Sequence, residues 1–362
     1  MIEMRSIFSV AICLSISFVC ASGNAWANVP GLITTGDTVK AIDTSAWYVF
    51  QDRNNNYWFG SDGNGVYRYD GTHTIHYFTG NGLCNDRVRG IQGDSLGNVY
   101  INTCNGISRY DGRTLTTLKA IPADRLPDAG WRLHTGDLWF AGPQDSGVVY
   151  RYDGSTLYRL RFPKLKVAED FIATHPRERF PAMVFNPYDV YSIYRDRRGH
   201  LWFGTGMLGV CRYDGNTFAW IPEDELGLSA IAYGVRATIE DRQGRFWFSN
   251  TMHRFLIHRN ANGTIGYTME KGIGDADAQH PAGHSYFMSA LEDKNGDIWM
   301  VTYNEGIWRY NGNSMTRYDI KSKGKNATTF TIYKDRQGRL WVGTHAAGPY
   351  LFNGKTFEPF TL

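Results

Sequence analysis

The chain has 362 residues, of which 38 are Lys or Arg and 35 are Asp or Glu, so its formal net charge is +3. This near balance argues against a partner held by charge alone, such as duplex nucleic acid or an anionic membrane surface. Glycine, with 40 residues, and the aromatic residues, at 15%, are abundant, which favours short strands and tight turns over helices, and 42% hydrophobic residues exclude a disordered chain.

The segment 1–27 predicts a secretory signal peptide, with the mature protein at 28–362. Arg5 precedes an apolar run over 7–19, and the small-x-small triplet AWA at 25–27 is a cleavage signal. The apolar run is shorter than the roughly 20 residues of a membrane-spanning helix, and no later stretch is long and apolar enough. We therefore expect a periplasmic or secreted protein without a membrane span.

Seven repeats follow, each marked by two short phrases. The first phrase is Asp-x-x-Gly-x-apolar-Trp, whose copies and close variants begin at positions 52, 94, 196, 241, 293 and 335, with a shortened GDLW at 136–139. The second is Tyr-Asp-Gly or a variant, which ends at Gly71, Gly112, Gly154, Gly215, Gly263, Gly312 and Gly354. Asp and Gly at these spacings predict tight turns, so each repeat should contain four antiparallel strands.

Apolar residues stand at consecutive positions in several of these strands, as in LWF at 201–203, which indicates that both faces of the sheet are covered. Four-stranded sheets stacked at a period of roughly 40–50 residues form a β-propeller. We therefore predict an all-β fold, a single seven-bladed β-propeller of four-stranded antiparallel blades. The last blade should have strands at 330–334, 340–343, 349–352 and 356–360, and the spare segment 31–42 should add a strand to it and close the ring.

The links between the second and third strands of each repeat should emerge on one face of the ring, around its channel. Function usually lies on such loops because the stacked strands are committed to packing. Their polar and aromatic side chains suit hydrogen bonding to a ligand, and equally suit the solvated rim of any propeller. The candidate ligand-binding residues are Asp62, Asn64, Asn105, Asp145, His253, Tyr303, Glu305 and His345.

Two long blade-to-blade links, 162–190 and 270–286, are expected over the same face as binding loops. A short helix is expected at 167–173, which has no helix breaker. The second link holds Asp275, Asp277, His280 and His284, whose spacing is not that of a metal site. DKNGD at 293–297 resembles the start of a calcium loop, but a hairpin turn explains it better. No metal ion or other cofactor is therefore expected.

The mature chain has three cysteines. Cys84 and Cys104 flank the first two strands of the second repeat, so they should meet on the loop face, either as a disulfide or as two small buried thiols. Cys211 lies in the middle of a strand and is expected to be a buried thiol.

The combined phrases resemble the two-component-regulator propeller repeat. LWFGTGMLGVCRYDG at 201–215 matches this repeat nearly throughout, and NGL at 81–83 followed by Asn85 resembles its link, with Cys84 where Pro is usual. The resemblance covers most of the mature chain. It implies an exported recognition module, because in that family the propeller often forms the periplasmic sensor half of a hybrid histidine kinase and is linked to recognition of polysaccharide fragments.

A looser resemblance, through the strand pattern G-x-[LI]-W-[FV], is to the seven-bladed streptogramin lyase propellers. Those enzymes place His and Glu around a metal ion, and no set of residues in this chain matches theirs one by one. The chain also has no G-x-S-x-G, H-E-x-x-H or glycine-rich phosphate loop.

These observations favour a binding, recognition or scaffold module that takes a glycan or peptide ligand on the loop face without chemistry. Two alternatives stay open. One is a metal-dependent lyase or hydrolase of a saccharide or cyclic ester, with His253, His345 or Glu305 near the channel mouth. The other is a propeller that docks to a partner by surface shape alone. The expected partners are a saccharide or a protein, and not nucleic acid.

Overall fold

The computed structural model describes residues 36–122, 130–144, 146–176, 178–179, 186–228, 234–260, 265–273 and 284–362. The predicted signal peptide, Asp145, Asp275, Asp277 and His280 lie outside the described residues.

In six of the seven repeats, the first phrase folds into a turn that one aspartate organises. Oδ1 of Asp196 accepts hydrogen bonds from the backbone N–H groups of Arg198 at 3.0 Å and His200 at 2.8 Å. Its Oδ2 accepts the indole N–H of the fully buried Trp202 at 3.0 Å. The same bond joins Asp52 to Trp58, Asp241 to Trp247, Asp293 to Trp299 and Asp335 to Trp341, and the hydroxyl of Tyr100 binds Asp94 in the same way. The hairpin explanation of 293–297 is thus confirmed.

The second phrase forms the turn between the third and fourth strands. Oδ1 of Asp214 accepts the backbone N–H groups of Asn216 and Thr217 at 3.0 and 2.9 Å, and the hydroxyl of Tyr213 donates to the carbonyl of Gly215 at 2.9 Å. Gly215 has a φ of 97°, which a residue with a Cβ rarely adopts.

The strands between these turns form seven sheets, the blades of a seven-bladed β-propeller. Blade 1 contains β1 (Asp37–Val39), β2 (Ala46–Gln51), β3 (Tyr57–Ser61), β4 (Val66–Tyr69) and β5 (Thr74–Tyr77). Blade 2 contains β6 (Val88–Gly93), β7 (Val99–Thr103), β8 (Gly106–Tyr110) and β9 (Leu115–Thr117). Blade 3 contains β10 (Ala120–Pro122), β11 (Leu138–Ala141), β12 (Val148–Tyr152) and β13 (Leu157–Arg161). Blade 4 contains β14 (Val190–Arg195), β15 (Leu201–Thr205), β16 (Val210–Tyr213) and β17 (Phe218–Ile221).

Blade 5 contains β18 (Thr238–Glu240), β19 (Arg245–Phe248), β20 (His253–Arg259) and β21 (Ile265–Lys271). Blade 6 contains β22 (Phe287–Glu292), β23 (Ile298–Thr302), β24 (Ile307–Tyr310) and β25 (Met315–Tyr318), followed by a small hairpin of β26 (Lys321–Ser322) and β27 (Lys325–Asn326). Blade 7 contains β28 (Thr329–Lys334), β29 (Leu340–Thr344), β30 (Tyr350–Phe352) and β31 (Phe357–Pro359), which confirms its predicted strands to within a residue.

The helices lie in the links. A short 3-10 helix spans Thr79–Asn81, α1 spans Lys166–Thr174 and α2 spans Glu223–Leu226. The predicted helix at 167–173 is therefore confirmed. Among the described residues, none of the helices combines the length and the apolar character needed to cross a bilayer.

Aromatic and aliphatic side chains fill the space between neighbouring blades. Trp202 of blade 4 packs with Phe246 and Phe248 of blade 5 at ring-centroid distances of 4.5 and 5.6 Å. Five tryptophans of such clusters are less than 2% exposed, namely Trp58, Trp202, Trp299, Trp308 and Trp341. The consecutive apolar residues of the second strands thus contact a neighbouring blade on each face, as expected.

The ring does not close as the sequence suggested. β1 does not join blade 7; it pairs antiparallel with β5, the outer strand of blade 1. Blades 7 and 1 meet through their inner strands, where the hydroxyl of Thr331 donates to the carbonyl of Trp47. The hydroxyl of Tyr57 in β3 also donates to Asp335, in the turn after β28, at 2.8 Å. Between blades 4 and 5, the hydroxyl of Ser192 similarly donates to the carbonyl of Val235, just before β18, at 3.4 Å. The junction that closes the ring therefore uses the same type of hydrogen bond as a junction within it.

Blade 3 departs from the pattern. Its sheet order is β10-β13-β12-β11, so β11, which corresponds to the second strand of the other blades, lies at the inner edge, and β10 runs parallel to β13 at the outer edge. Side-chain amides of blade 2 bind the carbonyls at this inner edge: Gln92 donates to Trp139 at 2.7 Å and Asn102 to Ala141 at 3.1 Å. Amide side chains thus take the place of an inner strand.

Candidate functional site

A cavity of about 540 Å³ occupies the channel of the ring. Its walls are the inner strands of six blades and β11 of blade 3. The lining residues are mainly those at the beginnings of the inner strands, together with Cys104 and Gln144, which follow β7 and β11. The cavity therefore lies toward the face that carries the links between second and third strands.

One position of the repeat supplies much of this wall. The residue five places before the turn aspartate lines the cavity in every blade except blade 3. These residues, which we term the channel ring, are Trp47, Arg89, Tyr191, Arg236, Met288 and Phe330. All six are partly exposed, whereas the turn aspartates and core tryptophans of the same repeats are mostly buried.

A β-bulge directs these side chains into the channel. The register between the first and second strands shifts at Trp47, Arg89, Tyr191, Met288 and Phe330. A bulge places two residues opposite one, so two consecutive side chains face the same side of the sheet. In blade 5 the backbone N–H groups of Arg236 and Ala237 both bind Oγ of Ser249, at 2.6 and 3.2 Å.

The residue after each bulge is often small and links neighbouring blades. Ser192 and Thr331 donate to carbonyls of the next blade, and Ser289 accepts the backbone N–H of Ile332 at 3.2 Å. Channel-ring residues also contact neighbouring blades: the indole N–H of Trp47, for example, donates to the carbonyl of Val88 at 3.0 Å. Their side chains nevertheless differ between most of the blades.

The channel ring has an aromatic side and a cationic side. The rings of Trp47 and Phe330 lie 4.5 Å apart between centroids, at an interplanar angle of 37°. The guanidinium of Arg236 lies 3.6 Å from the centroid of Tyr191 and donates from Nε to the hydroxyl of Tyr286 at 3.1 Å. Stacked on an aromatic ring and bonded to a neutral hydroxyl, Arg236 keeps its positive charge in the channel.

Burial raises the pKa of the phenols of Tyr48 and Tyr191, although Arg89 and Arg236 act to lower both. Both phenols therefore stay protonated at neutral pH. Tyr48, Tyr191, Arg89 and Arg236 all line the same cavity.

Of the residues predicted from the sequence, Asp62 and His345 come together at the junction of blades 7 and 1. Oδ2 of Asp62 lies 3.1 Å from Nε2 of His345, and its Oδ1 lies 2.5 Å from Nε of Arg87. The ring of His345 lies 5.8 Å from that of Trp47, edge to face. This group borders the channel ring and forms part of its rim.

The other predicted residues are dispersed. Tyr303 is 40% exposed and meets Phe330 edge to face at 6.4 Å, so it also borders the channel. Asn64 and Asn105 are exposed on their loops, and Glu305 is partly exposed. His253 begins β20 and lines a separate small cleft beside His284. Among the described residues, no three His, Cys, Asp or Glu side chains gather as ligands for a metal ion.

The three cysteines in the described part of the chain are free thiols. Of the two alternatives for Cys84 and Cys104, the disulfide is not formed in this structure, and Sγ of Cys84 lies 3.1 Å from the hydroxyl of Thr103. Cys211 is fully buried, as predicted.

The loop-based prediction missed the channel ring itself. Its members lie within or just before the inner strands, and they are too unlike one another to be found as a motif. Two features of the sequence could have indicated these residues. They lie at a constant spacing of five residues before the turn aspartate, and their side chains vary among repeats whose other positions are similar.

Comparison with known families identifies the repeat. Residues 185–207 and 323–346 match the model described as the two component regulator propeller. The chain carries two-component regulator propeller repeats. The resemblance noted in the sequence is thus confirmed, and the two matched stretches contain the inner strands of blades 4 and 7.

Solved structures share the fold of this two-component-regulator-type propeller. The extracellular domain named as part of a hybrid two component system from B. thetaiotaomicron is 18% identical, with a TM-score of 0.54 over 86% of this chain and 40% of that one. A second extracellular domain from the same organism, named as part of a one component system, is 21% identical, with a TM-score of 0.56 over 88% and 40%. The chain thus spans about 40% of the length of these domains.

A streptogramin B lyase is 15% identical, with a TM-score of 0.59 over 87% of this chain and 95% of that one. At these identities the similarities to solved structures show the fold. The comparison with curated proteins finds no match.

Proposed function

We propose that the protein is an exported recognition module that binds a glycan or a peptide in the channel mouth, without catalysis. The observation that carries the proposal is the channel ring: six side chains of five different types at one position of an otherwise regular repeat, around a cavity of about 540 Å³. That volume is in the usual range for small-ligand sites. Export is inferred from the sequence at 1–27, and Asp62, Tyr303 and His345 are proposed as the rim of the site.

Binding to arrays of glycans and peptides tests this proposal, followed by titration calorimetry on each hit. We expect Trp47→Ala to weaken binding about tenfold or more, because a large aromatic contact is lost. Leu96→Ala is the matched control, since Leu96 is 87% exposed on the turn between β6 and β7, at the opposite end of the strands. Equal affinity of the Trp47 variant and the wild type would place the ligand elsewhere.

The catalytic alternative has its own readout. Each ligand found on the array is incubated with the protein, with and without EDTA, and the products are separated. A recognition module returns the ligand unchanged in both samples. Product formation that EDTA abolishes would make the protein a metal-dependent enzyme and overturn the proposed role.

A further inference from the structure

The charges that line the channel are unbalanced. The cavity wall includes Arg87, Arg89 and Arg236, and no Asp or Glu among its described residues. Arg87 is neutralised by Asp62, 2.5 Å away at the rim. Arg89 makes no hydrogen bond or ion pair with any described residue, and the bonded partner of the Arg236 guanidinium is the hydroxyl of Tyr286.

This lack of a counter-charge contrasts with several partly or wholly buried arginines elsewhere in the molecule. Arg151 pairs with Asp137 at 2.7 Å, Arg245 with Asp241 at 2.8 Å, and Arg339 with Asp335 at 2.7 Å. Bringing two cations into a partly desolvated channel without a carboxylate costs free energy. Packing does not explain that cost for Arg89, because its guanidinium has no bonded partner among the described residues.

The two arginines stand three blades apart around the ring, Arg89 in blade 2 and Arg236 before the first strand of blade 5. Both line the same cavity of about 540 Å³, across which they stand on different sides of the channel. Between them on one side lies the aromatic pair of Trp47 and Phe330. The cavity therefore offers an anion two guanidinium groups and offers an attached ring an aromatic wall.

We infer that the ligand of the channel is an anionic saccharide, whose carboxylate or sulfate group binds between Arg89 and Arg236 while a sugar ring packs against Trp47 and Phe330. This inference rests on the proposed function and specifies its ligand class. Guanidinium groups suit both oxyanions, because their N–H donors bind planar or tetrahedral oxygen groups in pairs.

The first test needs no knowledge of the natural ligand. Thermal unfolding is followed in sodium sulfate and in sodium chloride at equal ionic strength, for the wild type and for the double variant Arg89→Gln/Arg236→Gln. Sulfate stabilises proteins in general, but that effect is common to both proteins. We expect an additional rise of roughly 2 °C or more in the wild type alone, as specific anion binding gives. Equal rises in both proteins would overturn the inference.

Arg113→Gln is the matched control for net charge. Arg113 is exposed on the turn between β8 and β9, at the far end of the strands from the links, and its replacement removes one positive charge, half the change in the double variant. This variant should keep the wild-type response to sulfate. A response reduced to half or less of the wild-type response, as the loss of one charge would give if net charge were the cause, would overturn the anion site.

The second test identifies the source of the anion by calorimetry with three probes: digalacturonate, a sulfated galactose disaccharide and neutral digalactose. We expect at least one anionic probe to bind about tenfold or more tightly than the neutral one, and Arg89→Gln or Arg236→Gln to remove most of that difference. If digalacturonate binds more tightly than the sulfated disaccharide, the site recognises a carboxylate, and the reverse order indicates recognition of a sulfate group.

The two proposals fail in different ways. If the neutral disaccharide binds as tightly as the anionic ones and both arginine variants bind normally, the anion inference is wrong and the recognition role stands. If sulfate stabilises through the arginines but no saccharide or peptide binds, the anion site stands and the proposed recognition of a glycan or peptide is wrong.

Discussion

At the scale of single residues, the turn aspartate has a second function that its sequence pattern does not display. The Asp-x-x-Gly spacing predicts a turn, and the turn forms. The pattern does not reveal that the same carboxylate accepts the N–H of a buried tryptophan six residues later, as Asp196 does for Trp202. Blade 3 has Leu133 at this place, and there the indole N–H of the buried Trp139 has no hydrogen-bond partner among the described residues.

The double role predicts the cost of losing one aspartate. Asp196→Ala removes the acceptor of Trp202 and of two backbone N–H groups, so we expect the free energy of unfolding to fall by about 3 kcal/mol, measured by urea denaturation. Asp111→Ala is the control, because Asp111 is exposed and accepts hydrogen bonds from the backbone N–H groups of Arg113 and Thr114 and from the hydroxyl of Thr114, but from no buried indole. It should cost about 1 kcal/mol or less. Similar losses in the two variants would contradict the role given to the indole bond.

The carboxylates of the turn aspartates also make the free energy of unfolding depend on pH. Burial acts to raise the pKa of Asp335, but hydrogen bonds from Trp341, Arg339 and Tyr57 outweigh it and hold this pKa below its ordinary value. A pKa that is lower in the folded state stabilises the fold above the unfolded-state pKa of about 3.9. That stabilisation is lost as the pH falls through the folded-state pKa.

We therefore expect Asp335→Asn to destabilise the protein by about 2 kcal/mol at pH 7 and by clearly less at pH 3, measured by urea denaturation at both pH values. Asp37→Asn on the outer strand β1 is the control, because its carboxylate accepts no hydrogen bond from a described residue. A loss that is equal at the two pH values would show that the charge of Asp335 is not involved.

At the scale of elements, glycines in the second strands let neighbouring blades approach. A Cβ built on Gly343 would overlap the backbone carbonyl of Trp47 across the closing junction, and one on Gly204 would overlap that of Val235. Backbone atoms cannot swing aside as a long side chain can. These glycines are therefore required by contact between blades rather than by their own backbone angles.

Gly343→Ala should lower the free energy of unfolding by about 2–3 kcal/mol, as overpacking does in a close-packed interior. Gly136→Ala provides the comparison, since a Cβ there would meet nothing within 4 Å. We expect its effect to stay within about 0.5 kcal/mol, and urea denaturation of the two variants measures the difference. A Gly343 variant as stable as the wild type would contradict the close approach of blades 7 and 1.

Some features of the strands could be predicted from the sequence, and others could not. Turn residues fixed the strands of blade 7 to within a residue, because Asp and Gly act locally. The bulges at the inner strands could not be predicted in this way, since a bulge is a mismatch in length between two paired strands and not a residue type. The prediction that the segment containing β1 would join blade 7 was wrong for a related reason. A short polar strand such as DTV carries no feature that selects one sheet edge over another.

At the scale of the whole molecule, the number of blades followed from counting two phrases, but the residues that line the channel cavity did not. The loop residues selected from the sequence surround the channel mouth in part, through Asp62, Tyr303 and His345. The cavity wall comes from strands that the sequence treats as packing elements. Only the closed ring determines which residues of these strands face the channel axis. The sequence of one repeat therefore does not reveal them.

Closure through inner-strand contacts gives a prediction for the whole ring. A chain that begins at residue 41 lacks β1, which pairs with the outer edge of blade 1. It should still form the closed propeller, with a free energy of unfolding within about 2 kcal/mol of the longer chain and the same circular dichroism spectrum. Loss of the cooperative transition in this shorter chain would mean that β1 does hold the ring together.

The irregular third blade has a geometric consequence for anything that enters the channel. Seven equivalent sectors would offer a guest seven equivalent rotations about the axis. Because Gln92 and Asn102 bridge to β11 where other blades place an inner strand, the backbone of this sector differs from that of the other six. We therefore expect that rotating a guest molecule about the axis changes the backbone that it meets as well as the side chains.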